Sequence, residues 1–308
     1  MPEIAIAIPT FKRPASLGRL LGALEKLETD ARVLVLVADN DAETHAGYDF
    51  CRAICARYRW PLDPLVAEER GIAQARNALV KAALRYPDVR LLAMIDDDEW
   101  PSPNWLAELV RVQASTGADV VAGSILFEGA HEKSRWAAGF DGSCDIRRPT
   151  GPVAMLEGAG NLLVTRACLD KLGEPWFDPA FALSGGEDRD FFERVKAAGG
   201  RFAWADEAVA RGALPERRMT LDWVLRRAYA IGNADMRIFL KYRHEASAWL
   251  AEGAKIASAL LLTPLLAVLL AAVPHRAADA LRRFFRNLGK LAALMGRRAA
   301  PYGASHGD

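Results

Sequence analysis

Residues Leu91–Pro101 read LLAMIDDDEWP: five apolar residues that predict a buried strand, then Asp96, Asp97, Asp98 and Glu99, then Trp100-Pro101. Four carboxylates at a strand end repel one another unless water, basic side chains or a cation relieves the charge, and hard oxygen ligands suit Mg²⁺ or Mn²⁺. An acidic loop that also caps the next helix is the competing reading, because Ser102-Pro103-Asn104-Trp105-Leu106 has the form of a helix start. On these residues alone both readings stand.

Outward from this strand the first hundred residues alternate strand and helix patterns. Strands are expected at Ile4–Ile8, Val33–Val37 and Leu91–Ile95, and helices over Ala15–Leu27, Tyr48–Tyr58 and Ile72–Arg85. Continuous apolar strands separated by helices predict an α/β protein with a mostly parallel, Rossmann-like sheet covered on both faces. Ligands of such sheets bind beyond the carboxyl ends of the strands. Three of those ends are polar: Pro9-Thr10-Phe11-Lys12-Arg13, Asp39-Asn40-Asp41 and the Asp96 run. Their convergence on one edge fits a nucleotide, yet neither a GxGxxG after the first strand nor a GxxxxGK[ST] is present.

The 308 residues carry 40 Lys and Arg against 39 Asp and Glu, so no global field recommends nucleic acid. Cys51, Cys55, Cys144 and Cys168 form neither a CxxC pair nor a dense framework, which predicts a reducing compartment. The N-terminus enters a strand almost at once and lacks the pattern of a signal peptide, so the catalytic part is expected in the cytosol.

Further along, Ala118–Phe127 predicts a strand, Glu128–Pro152 a long surface loop, the stretch to Val164 a glycine turn and strand, and Ala167–Leu172 a short helix. Ser184-Gly185-Gly186-Glu187-Asp188-Arg189-Asp190 precedes an amphipathic helix to about Ala198. Acidic residues there complement a helix dipole, and paired glycines let backbone approach a ligand, so capping and function both remain open.

Ile256–Val273 is 18 uncharged residues interrupted at Thr263-Pro264, the lower limit for crossing a bilayer. A basic stretch follows, with Leu281, Phe284, Phe285, Leu288, Leu291 and Leu294 on a helical period, the pattern of a helix lying on an anionic membrane. A single span would put this basic tail across the membrane from a cytosolic domain, against the positive-inside tendency. A monotopic segment dipping into one leaflet avoids the conflict; a buried helix pair of a soluble protein is the third reading. The expected units are 1–240, a membrane-associated 241–300 and a disordered tail at 301–308.

The order of these motifs resembles the family 2 glycosyltransferases, in particular the bacterial exopolysaccharide branch with its succinoglycan-type glucosyltransferases. The matching residues are Ile8–Pro14, Asp39-Asn40-Asp41, Gly71–Asn77, Asp96-Asp97-Asp98-Glu99 as a DxD motif and Gly185-Gly186-Glu187-Asp188 as an ED motif, within residues 1 to about 240. The resemblance implies a GT-A fold. It also implies that Pro9, Thr10 and Arg13 line the nucleotide pocket, Asp39 bonds the base, Arg76 meets the diphosphate or sugar, Asp96, Asp97 and Asp98 lie at the donor, and Asp96 and Asp98 hold Mg²⁺ or Mn²⁺. Asp188 is the implied general base of an inverting transfer, with Glu187, Gly160 and Asn161 toward the acceptor. Trp176 or Trp136 is the candidate for stacking on a sugar, core packing being the ordinary alternative. Arg217–Tyr229 lacks the QxxRW order of processive synthases, which suggests one sugar per encounter. Of its arginines, Arg226 and Arg227 are the candidates for closing over the diphosphate, with acidic lipid as their other use.

The implied activity is transfer of one sugar from a nucleotide sugar, UDP-linked, to a lipid-linked saccharide at the cytoplasmic face of the membrane. A sugar nucleotidyltransferase is the rival enzyme, but Pro9–Pro14 is not the Gly-rich loop a triphosphate needs. A non-catalytic membrane-bound nucleotide-sugar or polysaccharide binder is the rival outside enzymology, and it would need no base.

Overall fold

A computed structural model describes residues 1–128, 145–213 and 216–299. The elements are β1 (Ile4–Thr10), α1 (Pro14–Leu24), β2 (Val33–Asp39), α2 (Ala46–Ile54), β3 (Leu62–Val66), α3 (Ile72–Leu84), β4 (Leu91–Ile95), β5 (Glu99–Pro101), α4 (Trp105–Thr116) and β6 (Val120–Glu128). Then come β7 (Gly151–Val153), β8 (Asn161–Thr165), α5 (Arg166–Leu172), α6 (Glu187–Ala197), β9 (Phe202–Ala213), α7 (Leu221–Tyr242), α8 (Ala246–Leu269) and α9 (Pro274–Leu294).

One mixed sheet runs in the order β3-β2-β1-β4-β8-β6-β9-β5, with β7 on β9. From β3 to β4 it is parallel; β8 then pairs antiparallel with both β4 and β6. Because a strand has period two, Ile4, Ile6 and Ile8 enter one core layer, with Leu17, Leu20 and Leu21 of α1 and Trp105 of α4. Ala5 and Ala7 enter the other, with Leu79 and Val80 of α3. Both faces are therefore covered, as the unbroken apolar strands require.

The differences from the sequence-based pattern are local. β3 does not show as a strand in the sequence because Pro64 interrupts it and Pro61 precedes it, and it sits at the edge of the sheet, where a missing N–H is tolerated. Twelve-residue β9 carries Asp206, Glu207 and Arg211 and does not alternate cleanly. The helix expected over 48–58 stops at Ile54 and tightens into a 3₁₀ turn, Cys55–Arg57. Within the loop expected over 128–152, Ile146 bridges Ile125, and β7 joins the sheet.

The boundary expected at 240/241 falls inside α7. This helix packs on α9 so closely that a Cβ on Gly232 would lie 1.8 Å from the Arg286 carbonyl oxygen, and one on Gly289 would lie 2.0 Å from that of Tyr229. Asn233 seals the contact by donating to the Gly289 and Arg297 carbonyls. The face that α9 buries is its small one, Ala277, Ala278, Ala280, Gly289, Ala292 and Ala293, while Leu291, Leu294 and Met295 are exposed. α8 continues through Pro264, and the Thr263 hydroxyl bonds the Ala259 carbonyl one turn back. The helix is long and apolar enough to cross a membrane and leaves most of its leucines exposed.

Candidate active site

The carboxyl ends of β1 and β4 meet as the parallel register demands. The Thr10 hydroxyl donates to Asp97 Oδ2 at 2.7 Å, and Arg13 reaches both Asp97 (3.2 Å) and Asp98 (3.1 Å). Pro9 precedes Thr10 within β1 and is buried. Burial raises the Asp97 carboxyl to about 7 against the pull of Arg13. Of the three aspartates Asp97 therefore faces inward and holds the loop, while Asp96 and Asp98 are about a third exposed.

Asp39 ends β2 fully buried. Its Oδ2 accepts the Gly47 and Tyr48 N–H groups at the start of α2, and its Oδ1 accepts that of Asp41. The carboxylate expected to bond a nucleobase is thus already committed to three backbone donors. Neighbouring Asn40 accepts from Gly71 N at 2.6 Å and donates to the Ala67 and Glu69 carbonyls, fixing the entry to α3. Gly71 has φ +145, and a Cβ there would lie 2.5 Å from Ala182, so glycine is required where α3 meets the segment preceding Ser184.

α3 delivers Arg76 into the centre of the site. It is buried, donating to Asp96 Oδ1 at 2.9 Å and to Glu187 Oε1 at 2.8 Å, and it rests over the Phe177 ring. Burial disfavours the guanidinium charge, but Asp96 and Glu187 outweigh it and raise the pKa further. Burial and the adjacent Asp188 carry Glu187 to about 7, opposed by Arg76. Asp188 itself is half-buried on the first turn of α6 and accepts the Arg189 N–H.

Glu99 is the last carboxylate of the acidic run. It is buried at the start of β5, and its Oε2 has no hydrogen-bond partner among the described residues. Burial raises its pKa well above the usual carboxylate range, and Asp96 and Asp98 push in the same direction. A Cβ on Gly160 would lie 2.9 Å from Glu99 Oε1 and 3.0 Å from Asp96 Oδ2, so this glycine forms the wall against which both carboxylates lie.

Asn161, Trp176 and Arg226 each have partners within the fold. Asn161 is buried and fully engaged: it accepts from the Trp105 indole and donates to the Ser124 and Ala208 carbonyls. Trp176 belongs to the core, its indole donating to the Leu169 carbonyl, as the packing alternative expects. Trp136 lies outside the described residues. Arg226 is 80% exposed and paired with Asp222 one turn away, whereas Arg218, just before α7, lies 3.5 Å from Asp98. Arg227 is half-buried on α7. Nothing in the local sequence separates Arg218 from its neighbours; only the path of the chain back to the sheet edge does.

Among the described residues no three His, Cys, Asp or Glu side chains enclose a cation. Asp98 meets Arg13 and Arg218 through Oδ2, and Asp96 meets Arg76 through Oδ1, and among the described residues the second oxygen of each has no side-chain partner. This open pair fits an octahedral cation that keeps its waters and takes phosphate oxygens, not one caged by protein alone.

The glycosyl transferase family 2 model matches residues 5–165, from β1 through β8. A curated relative, the succinoglycan biosynthesis protein ExoM of Rhizobium meliloti (strain 1021), is 32% identical over 248 residues, covering 79% of this chain and 77% of its own. A structure of S. aureus TarS matches with a TM-score of 0.55 at 13% identity, covering 94% of this chain and 55% of the TarS chain, so this chain spans about half of that one. TarS 1-349 in complex with UDP-GlcNAc matches with a TM-score of 0.53 at 13% identity, covering 96% and 92%. At such identities the TarS likeness is one of fold, and it places the sheet and helices in the GT-A class. The family match spans the strands whose ends carry Thr10, Asp39 and the Asp96 cluster, and with the ExoM similarity extending beyond it, the chain is a glycosyltransferase and belongs to glycosyl transferase family 2.

Proposed function

We propose that the enzyme transfers one sugar from a UDP-linked donor to a hydroxyl of a lipid-linked saccharide, with inversion, in exopolysaccharide synthesis. The observation that carries this reading is the position of Arg76, which joins Asp96 on the β4 side to Glu187 on the α6 side. One arginine thus fixes the DxD carboxylates and the ED carboxylates on either side of a single cleft. The donor and pathway draw support from the UDP-GlcNAc complex of TarS and from the name of ExoM.

In this reading Thr10 and Arg13 hold the Asp97 loop beneath the diphosphate, and Arg218 meets its charge from above. Asp98 and Asp96 would hold Mg²⁺ or Mn²⁺, which supplies Lewis-acid stabilisation of the charge growing on the departing nucleoside diphosphate. Asp188 accepts the acceptor hydroxyl proton as that oxygen bonds the anomeric carbon and the carbon–diphosphate bond breaks. One base suffices for direct displacement, which inverts configuration. Glu187, pinned by Arg76, sets the direction in which Asp188 points.

The C-terminal hairpin supports a monotopic seat on the cytoplasmic leaflet. Glu252 of α8 bonds Lys290 of α9 at 2.6 Å, and Ile256 of α8 shares one apolar cluster with Ala293 of α9, so the two helices lie against each other. Only residues 270–273 separate α8 from α9, so a span of α8 would draw the basic residues of α9 toward hydrocarbon.

A thermal-shift series with UDP and UDP-sugars, with and without Mn²⁺, tests the reading, since ligands of the native state raise its melting temperature. UDP with Mn²⁺ should stabilise the protein, Asp98→Ala should remove the Mn²⁺-dependent part, and Asp188→Asn should keep donor binding while losing transfer. Normal transfer by Asp188→Asn would eliminate it as the base.

A further inference from the structure

α7 carries two contact stripes, each with the i, i+3, i+4, i+7 spacing of a helix face. The first, Tyr229, Gly232, Asn233 and Met236, lies against the C-terminal hairpin: Gly232 and Tyr229 meet Arg286 and Gly289 backbone, Asn233 bonds Gly289 and Arg297, and Met236 packs with Ile256 and Ala293. The second, Ala234, Arg237, Ile238 and Lys241, lies against residues 178–190, which carry Glu187 and Asp188. A Cβ on Gly186 would lie 2.7 Å from Ala234 and 3.8 Å from Ile238. Arg237 donates to Ser184 Oγ at 2.7 Å and to the Ala180 carbonyl, and it covers the Phe181 ring. Lys241 bridges Asp178 (2.7 Å) and buried Asp190 (2.8 Å), where the Tyr242 hydroxyl joins it at 2.9 Å.

The outer surface of the hairpin is apolar and uncovered. Leu261 is 76%, Val268 73% and Leu269 69% exposed, with Leu262 and Leu265 beside them. Over residues 274–299, seven Lys and Arg stand against one Asp, with Arg276, Arg283 and Arg298 exposed. Apolar surface bordered by net positive charge fits an anionic lipid bilayer.

We infer that docking of the α8 leucines on anionic lipid is transmitted through α9 and α7 to the Glu187–Asp188 segment, so that the membrane orders the catalytic base as well as locating the enzyme. This rests on the membrane reading above. Among the described residues the hairpin packs chiefly on α7; lipid covers the opposite side and favours the packed arrangement over frayed ones. A ligand shifts such an equilibrium by its preference for one state. Because Arg237 and Lys241 leave the same helix that Asn233 anchors to α9, firmer seating of α9 firms the 178–190 contacts.

Hydrogen exchange of the full chain, with phosphatidylcholine vesicles containing or lacking phosphatidylglycerol, tests this, with vesicle co-sedimentation measured in parallel. The expected result is that anionic vesicles bind, protect α8 and slow exchange across 178–190 by about tenfold. Asn233→Ala should bind vesicles equally but lose the effect at 178–190. Arg286→Gln, which breaks the 2.7 Å pair with Asp235 at a half-exposed site, serves the same purpose if Asn233→Ala fails to fold. Binding that protects α8 while 178–190 is unchanged overturns the inference and leaves the membrane reading standing. Failure to bind anionic vesicles overturns both.

Discussion

Arg76 and Glu187, 111 positions apart in the chain, meet at 2.8 Å in the middle of the cleft, and both are buried. The second arm of the same guanidinium holds Asp96. Removing one member of a buried charged network leaves the others desolvated without compensation. Arg76→Gln is therefore expected to cost about 3–5 kcal/mol in urea unfolding. A loss below about 1 kcal/mol, the value typical of surface pairs, would show that the network does not hold the two halves of the site together.

Asp97 gives stability a defined pH dependence. Its folded-state pKa is about 7 against an ordinary 3.8, so between these values the native chain keeps a proton that the unfolded chain has lost. Stability from this group is complete below the unfolded value, falls as pH rises through the window and is constant above it. Glu187, at about 7 against 4.5, acts in the same direction. Melting temperature should fall from pH 5 to pH 8, and Asp97→Asn should flatten part of that slope. An Asp97→Asn curve parallel to that of the wild type would contradict the assignment.

Arg218 and Arg226 separate a site arginine from a surface one. Charged hydrogen bonds contribute about 1.5–3 kcal/mol, so Arg218→Ala should weaken UDP binding by at least about tenfold in calorimetric titration. Arg226, exposed and paired one turn away, should change neither UDP affinity nor stability by more than about 0.5 kcal/mol when replaced by Ala. Equal effects of the two substitutions would remove Arg218 from the diphosphate.

A chain ending at Leu240 loses Lys241 and Tyr242, the two partners of the fully buried Asp190 carboxylate, together with the hairpin that covers Gly232 and Asn233. Stripping a buried charge of its partners costs about 3–5 kcal/mol, a large part of a typical domain's stability. Such a truncation is expected to melt well below the full chain or without a cooperative transition. A cooperative melt at the full-chain temperature would establish residues 1–240 as an independent unit.

Trp176→Ala should cost about 3–5 kcal/mol by opening a cavity beside Leu169, with no direct effect on saccharide recognition. If the variant stays as stable as the wild type but loses acceptor affinity, the stacking role returns.

Much of this was legible in the chain. The unbroken apolar runs Ile4–Ile8 and Val33–Val37 declare buried strands because both of their faces are covered, and the polar residues at their ends mark the ligand edge. Other residues are ambiguous in type until their neighbours are known. Asn161 beside Gly160 reads as an acceptor loop, yet its amide is used up on Trp105, Ser124 and Ala208, all distant in sequence. Asp39 at the end of β2 accepts the Gly47 and Tyr48 N–H groups, contacts that its own stretch of sequence does not announce. β3 and β9 were missed because edge prolines and charged residues break the alternation that identifies a strand.

By itself the sequence determined the α/β class, the family, the Asp96–Glu99 cluster and the Glu187–Asp188 pair, because these depend on local periodicity and on residue types whose placement has few other uses. Tertiary structure alone decided that Asp97 faces inward while Asp96 and Asp98 face out, that Arg218 rather than Arg226 meets the acids, and that α9 lies on α7 through its alanines and glycine instead of standing apart. The physical reason is common to all three: burial, charge pairing and close backbone approach are properties of segments brought together from 50 to 120 positions apart, and no window of the chain contains both partners.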